Sequence, residues 1–152
     1  MLSFFRKKNK FFTAEENQFI VEAIHQAEQE TSGEVRVFVE SKCSYMDAID
    51  RAAEIFSRLQ MHKTTERNAV LIYIAVKDRQ LAIFGDEAIH KKVGNEYWGR
   101  LVKQMISHFD KNNFAEGIRH CVLEVGKDLQ KNFPHHKYTD KNELPDDIMF
   151  GR

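Results

Sequence analysis

Apolar residues recur at helical spacing in some parts of the chain and at extended spacing in others. Thr13 and Glu16 form a capping-box motif, and the apolar residues behind them predict a first helix over residues 14–31. Residues 34–40, EVRVFVE, alternate between apolar and polar, which predicts the first strand. A second helical repeat over residues 48–62 follows the cap motif SYMD.

The second half of the chain begins with a continuously apolar segment, NAVLIYIAV at residues 68–76, which is typical of a central strand covered on both faces. The short spacer KDRQ then leads to LAIFG at residues 81–85, and this spacing predicts a hairpin. The remainder has helical spacing, with predicted segments at 87–93, 98–109 and 114–129. We predict a domain over residues 13–133, preceded by a basic and aromatic arm at 1–12 and followed by a flexible polar tail at 134–152.

This order of elements predicts an α/β fold in which helices flank a small mixed sheet. The helical crossover should leave strands one and two parallel, whereas the hairpin makes strand three antiparallel to strand two. The beginnings of strands one and two therefore meet the end of strand three at one edge of the sheet. That edge collects four carboxylates and three polar neighbours: Glu34, Glu66, Asp86, Glu87, Ser32, Arg67 and Asn68.

Asp86 and Glu87 have two interpretations. They can cap the following helix and interact with its dipole, an effect of about 1 kcal/mol that needs no ligand. Alternatively they bind a cation together with Glu34 and Glu66, and a set of oxygen ligands favours Mg²⁺ or Ca²⁺ over Zn²⁺. In the second interpretation Glu34 is a ligand or a water-orienting base, and Arg67 contacts a phosphate oxygen. Glu34 and Glu66 can also be ordinary solvated acids.

Composition narrows the range of partners. The 152 residues contain 23 basic and 23 acidic side chains, so no net charge attracts nucleic acid. The two cysteines do not form a disulfide framework, and the seven histidines share no ligand spacing, so we take them as reduced thiols and as surface or half-buried rings. No segment has the apolar length of a signal peptide or membrane span, so we expect a cytoplasmic monomer.

Three stretches, TSGEVRVFVE, RNAVLIYIAVKDRQLAIFGDEAI and FDKNNFAEGI, resemble the TPM domain family over residues 13–131. The resemblance implies a Rossmann-like three-layer α/β/α sandwich, divalent cation sites and phosphomonoester hydrolase activity. GDEA and ERNA stand here in place of the more glycine-rich family turns. No cysteine or Asp-x-Asp phosphatase signature is present, so hydrolysis of a small phosphorylated substrate is expected to depend on a metal. The alternative is a non-catalytic protein-interaction or metal-binding module that uses the arm or the tail.

Overall fold

A computed structural model describes residues 11–135 and 148–151 and shows helices and strands in the predicted order. In chain order they are α1 (Ala14–Glu28), β1 (Glu34–Glu40), α2 (Ala48–Arg58), a 3₁₀ turn (Met61–Lys63), β2 (Ala69–Ala75), β3 (Gln80–Gly85), α3 (Glu87–Val93), α4 (Asn95–Asp110), α5 (Phe114–Asn132) and β4 (Ile148–Phe150). The predicted capping box begins α1: the Glu16 amide donates to Thr13 Oγ1 at 3.0 Å, and the Thr13 amide donates to Glu16 Oε1 at 2.9 Å.

The four strands form one mixed sheet in the order β3-β2-β1-β4. β1 and β2 are parallel, with Glu34 opposite Ala69, and β3 is antiparallel to β2, with Gly85 opposite Val70. Both predicted pairings are confirmed. We call the edge where β1 and β2 begin and β3 ends the lower edge, and the opposite one the upper edge.

Helices cover both faces of the sheet, which confirms the three-layer sandwich. Side chains such as Val37 and Ile72 pack on one face against α1, α4 and α5. The other face packs against α2 through residues that include Phe38 and Tyr73. The first helical layer is tightly joined, because a Cβ added at Gly126 would lie 2.6 Å from the Cβ of Ala27. In α/β sandwiches both helical layers cover the sheet, so the strand ends are the places where polar groups gather.

The predicted flexible tail over residues 134–152 is wrong for its last described part. Ile148 to Phe150 form β4, which lies parallel to β1 with Ile148 opposite Val37. Phe150 is buried, and its ring lies 6.4 Å from that of Phe11, at the end of the predicted arm. These apolar contacts explain why a three-residue strand without a sequence pattern joins the sheet. Residues 1–10, 136–147 and 152 lie outside the described residues.

Several boundaries also differ from the prediction. α1 ends at Glu28 because the Thr31 hydroxyl donates to the Leu129 carbonyl at 3.0 Å and Thr31 pairs with Pro134. The N-cap of α2 is Asp47, not Ser44, and the helix ends at Arg58. Within the described ranges, we find no helix with the length and hydrophobicity that crossing a membrane requires.

Candidate functional site

Arg67 and Asp86 form a two-pronged ion pair at the lower edge of the sheet. Arg67 Nε donates to Asp86 Oδ2 at 2.8 Å, and Nη2 donates to Oδ1 at 2.9 Å. Arg67 Nη1 also lies 3.4 Å from Oε1 of Glu87. The hydrogen bond to Asp86, ahead of the charges of both acids, raises the pKa of Arg67 above its usual value. The predicted neighbours Arg67, Asp86 and Glu87 are therefore in direct contact.

Asp86 is also the N-cap of α3. Its Oδ1 accepts the Glu87 amide at 2.8 Å, and its own amide donates to the Ala69 carbonyl at 2.9 Å. The capping interpretation is confirmed, because both side-chain oxygens of this buried residue already have donors. Asp86 therefore joins the start of α3 to Arg67 in the turn before β2.

Arg67 is held at its backbone as well as at its side chain. Its φ of 55° lies in the left-handed region, which is uncommon for an arginine. The Arg67 carbonyl accepts the Ala88 amide at 3.0 Å, so α3 fixes the turn in this conformation. The side chain is nevertheless 41% exposed. A guanidinium has five N–H donors, and Asp86 takes two of them.

A second polar group lies beside this pair. The Ser32 hydroxyl donates to Glu66, and the Asn68 side-chain amide donates to Ser32 Oγ at 3.0 Å. Asn68 is fully buried, and its Oδ1 has no hydrogen-bond partner among the described residues. A buried amide oxygen of this kind is an acceptor for water or for a cation.

Glu34 is the first residue of β1 and is 2% exposed. It stands opposite Ala69, whose carbonyl accepts the Asp86 amide, so the strand register places Ala69 between Glu34 and Asp86. The interpretation of Glu34 as an ordinary solvated acid is wrong, because the side chain is buried. Its roles as ligand or water-orienting base stay predictions.

The four predicted carboxylates do not form a single cation site in this arrangement. Over residues 11–135 and 148–151, no three or more His, Cys, Asp and Glu side chains are grouped so as to hold a metal. Asp86 is taken by Arg67, whereas Glu66 and the Asn68 Oδ1 present oxygens of the kind that Mg²⁺ and Ca²⁺ prefer. The donor atoms at the Glu66 side are therefore of the type that a hard cation binds.

A groove of about 470 Å³ opens at the end of β3. Asp86, Glu87, His90 and Trp98 are among the residues that line it. The Trp98 indole donates to His90 Nδ1 at 3.0 Å, so the neutral ring carries its proton on Nε2. His90 is half-buried, as predicted, but the sequence-based prediction does not place it at this groove. Its position one helical turn after Asp86 is the signal that indicates a shared face.

The upper edge carries a separate ion pair. Arg51 donates from Nε to Glu40 Oε2 and from Nη2 to Glu40 Oε1, both at 2.9 Å. The Tyr73 hydroxyl donates to Glu40 Oε2 at 2.5 Å. Asp78 lies at this edge, as the topology predicts, and accepts the Cys43 amide at 2.8 Å.

Both cysteines are buried and reduced, which agrees with the prediction. Burial, followed by the charge of Glu124, raises the pKa of Cys121 far above its usual range. A thiol in this state is a poor nucleophile, because the thiolate is the reactive form. Cys121 therefore packs in the core and has no chemistry at either edge.

Comparison with known proteins gives a consistent result. The model of the TPM domain matches residues 6–128. The BA42 protein from the psychrophilic bacterium Bizionia argentinensis, solved by NMR, is 39% identical, with a TM-score of 0.85 over 96% of this chain and 99% of that one. The N-terminal domain of a protein from P. gingivalis, 18% identical, has a TM-score of 0.68 over 84% of this chain and 83% of that one, and shows the fold alone. None of the curated proteins matches. The chain belongs to the TPM domain family.

Proposed function

We propose that this TPM domain hydrolyses phosphomonoesters at the lower edge of the sheet. The observation that supports the proposal is the Arg67 guanidinium, which is held in place by Asp86 and still half exposed. A phosphate group needs a planar donor in a fixed position, and an arginine anchored by a buried carboxylate is such a donor. The substrate class is a small phosphorylated molecule.

Arg67 contacts the phosphate in this scheme. Asp86 takes two of its five N–H groups, and Glu87 lies at 3.4 Å from Nη1, which leaves donors for a phosphate oxygen. Because the Arg67 turn is fixed by α3, the guanidinium needs little reorganisation when charge develops on the phosphate. Glu87 is the base that orients the attacking water, and His90 donates a hydrogen bond from Nε2 to the leaving oxygen, which takes its proton from solvent water.

The proposal includes a requirement for Mg²⁺ or Ca²⁺. Glu66 and Asn68 Oδ1 would hold the ion, and Glu34, buried at the start of β1, is the further ligand that the sequence predicts. When bound, the ion would supply positive charge against the phosphate. Asp86 can join this set only if Arg67 leaves it, because both of its oxygens have donors.

A cation titration of the chelator-treated protein, followed by backbone amide NMR, tests that assignment. Shifts at residues 32–35 and 66–69 without shifts at 85–89 are expected. Shifts that centre on 85–89 would mean that the ion displaces Arg67, and Arg67→Gln should then bind the ion more tightly. No localised shift at millimolar ion would contradict the cation requirement.

Hydrolysis of p-nitrophenyl phosphate tests the activity itself. We expect turnover that depends on Mg²⁺ or Ca²⁺ and a fall of about 100-fold in Arg67→Gln, the usual cost of one fixed donor to a developing oxyanion. Arg58→Gln is the matched control, since Arg58 lies on α2 and is 52% exposed. Full activity in Arg67→Gln, or in Asp86→Asn combined with Glu87→Gln, would show that the site is misplaced.

The alternative is a non-catalytic interaction or metal-binding module. One observation favours it: both side-chain oxygens of Asp86 already accept hydrogen bonds, as the cap of α3 and as the partner of Arg67. Absence of phosphatase activity in the wild-type chain, together with retained cation shifts at residues 66–69, would decide for this alternative. Removing residues 1–10, which leaves Phe11 in contact with Phe150, tests whether the arm holds a partner.

A further inference from the structure

The outer edge of β3 has main-chain groups that pair with no strand of the described residues. β3 stands at the end of the sheet order, and within residues 11–135 and 148–151 its only strand partner is β2. The Asp86 amide bonds to the Ala69 carbonyl, which fixes the alternation of the antiparallel ladder. By this alternation Ala82 and Phe84 direct their N–H and C=O groups to β2. Leu81, Ile83 and Gly85 direct theirs outward.

This edge lacks the features that usually block strand addition. Sheet edges are commonly protected by charged residues, proline or bulges. Residues 81–85, LAIFG, contain no charge and no proline, and their register with β2 is unbroken. An unprotected apolar edge can pair with a further strand. The absence of protective residues at β3 therefore points to a binding partner for this edge.

The groove that ends at Glu87 runs along this outer edge. Ile83, Phe84 and Gly85 lie along it, Ile49 of α2 borders it on one side and Trp98 of α4 on the other. Gly85 has close contact with the indole, because an added Cβ would lie 2.4 Å from Trp98 Cζ2. The edge of β3 at Ile83 to Gly85 is therefore flanked by residues of both helical layers, and an extended segment added there would lie beside Ile49 and Trp98.

We infer that the β3 edge binds an extended segment of another polypeptide by strand addition, and that this segment carries a basic residue at the end that lies over Glu87. Main-chain hydrogen bonds to Leu81, Ile83 and Gly85 supply the pairing, as in other cases of β-augmentation. Ile49, which is 48% exposed, contacts apolar side chains of the segment. The Glu87 carboxylate, 62% exposed at the end of the groove, supplies charge complementarity.

This inference goes beyond the proposed function and does not depend on it. Phosphate binding concerns Arg67, whereas strand pairing concerns the main chain of Leu81 to Gly85 and the side chain of Ile49, and the two proposals share only the Glu87 carboxylate. Binding is therefore measured with unphosphorylated peptides, without metal and without any assay of hydrolysis. A negative phosphatase assay would not affect the peptide-binding result, and a negative peptide-binding result would not affect the phosphatase assay.

The experiment titrates the full chain with acetylated, amidated hexapeptides of alternating valine and threonine, with lysine at one terminus or the other, followed by amide NMR. Before peptide is added, the outward amides of Leu81, Ile83 and Gly85 should exchange with solvent faster than those of Ala82 and Phe84. On addition, shifts should centre on residues 81–85. A peptide with proline in place of the central valine lacks a donor and should cause no such shifts. Glutamate in place of lysine should weaken binding.

Two variants of exposed isoleucines sharpen the result. Ile49→Lys places a charge at the border of the groove and should weaken binding of the lysine peptide by about tenfold or more. Ile106→Lys is the matched control, because Ile106 is 44% exposed on α4 and lies outside this groove. Equal affinity of the two variants would overturn the inference.

Three other outcomes would also overturn it. Slow exchange of the outward amides in the free chain would mean that this chain already covers its own edge. Concentration-dependent shifts at residues 81–85 without peptide would identify a second copy as the occupant. Equal shifts with the proline peptide, or none at millimolar peptide, would show that no strand is added.

Discussion

The two edges of the sheet carry the same chemical unit in two different settings. At the upper edge Arg51 holds Glu40 with two bonds and contacts Glu54 at 2.5 Å. At the lower edge Arg67 holds Asp86 with two bonds and lies near Glu87 at 3.4 Å. The arginine side chain is 18% exposed at the upper edge and 41% at the lower.

This difference separates a structural ion pair from a candidate site. Glu40 also accepts from Tyr73, so the upper group is buried and its oxygens have several donors. The lower group leaves guanidinium donors facing solvent beside a groove. An arginine–carboxylate pair therefore indicates a ligand site only where donors remain after the pair has formed.

The largest expected change in the free energy of unfolding comes from a substitution at the upper edge. Arg51→Ala leaves Glu40 buried without its cation, and removing one partner of a buried pair should lower the free energy of unfolding by about 3 kcal/mol. Urea denaturation followed by circular dichroism measures this. Arg58→Ala, whose ion pair is exposed and 3.8 Å long, should change it by less than about 0.5 kcal/mol. Equal losses in the two variants would contradict the contrast between buried and exposed pairs.

Tyr73→Phe removes the hydroxyl that donates to Glu40. It should lower the free energy of unfolding by a smaller amount, about 1 kcal/mol. Burial, then the bond to Glu40, raises the pKa of Tyr73 well above its usual value. Because the folded pKa exceeds the unfolded one of about 10, the protein should lose stability as pH rises above about 10. Urea denaturation between pH 8 and 11 should show a shallower decline in the variant. A decline of unchanged slope would contradict this account.

The smallest effect on stability is expected from Arg67→Gln, at about 1 kcal/mol or less, because that pair is half exposed and Asp86 keeps the Glu87 amide as a donor. The same substitution should lower phosphatase activity by about 100-fold. The comparison of the two edges thus becomes a test with opposite outcomes: Arg51 affects stability first, and Arg67 affects activity first. A loss at Arg67 as large as that at Arg51 would make the lower pair structural.

The sequence predicts the strand directions and the meeting of four carboxylates at one edge. Apolar runs and a short hairpin spacer are local signals, and residues 69–75 and 80–85 carry them clearly. It does not predict β4, because a strand of three residues gains its pairing and its contact with Phe11 from the folded sheet.

The sequence predicts which residues lie at the lower edge, but not which of their side chains bond to one another. Placing Arg67 beside Asp86 follows from the topology, but their two-pronged bond depends on a left-handed φ at Arg67 that no local signal indicates. The polar residues of this edge also separate into two groups, because Ser32 bonds to Glu66 and Asn68 and not to Asp86 or Glu87. The sequence does not indicate this separation. His90 was overlooked because its hydrogen-bond partner, Trp98, belongs to the next helix.

The close approach of Gly126 to Ala27 has a consequence for how the molecule opens. Helices α1 and α5 form a nearly seamless block on one face, whereas the other face has α2 as its helical cover among the described residues. Local unfolding begins where fewer buried contacts must be broken. We therefore expect local unfolding to begin on the α2 side, which would change the width of the β3 groove at Ile49 before it disturbs the contact between α1 and α5.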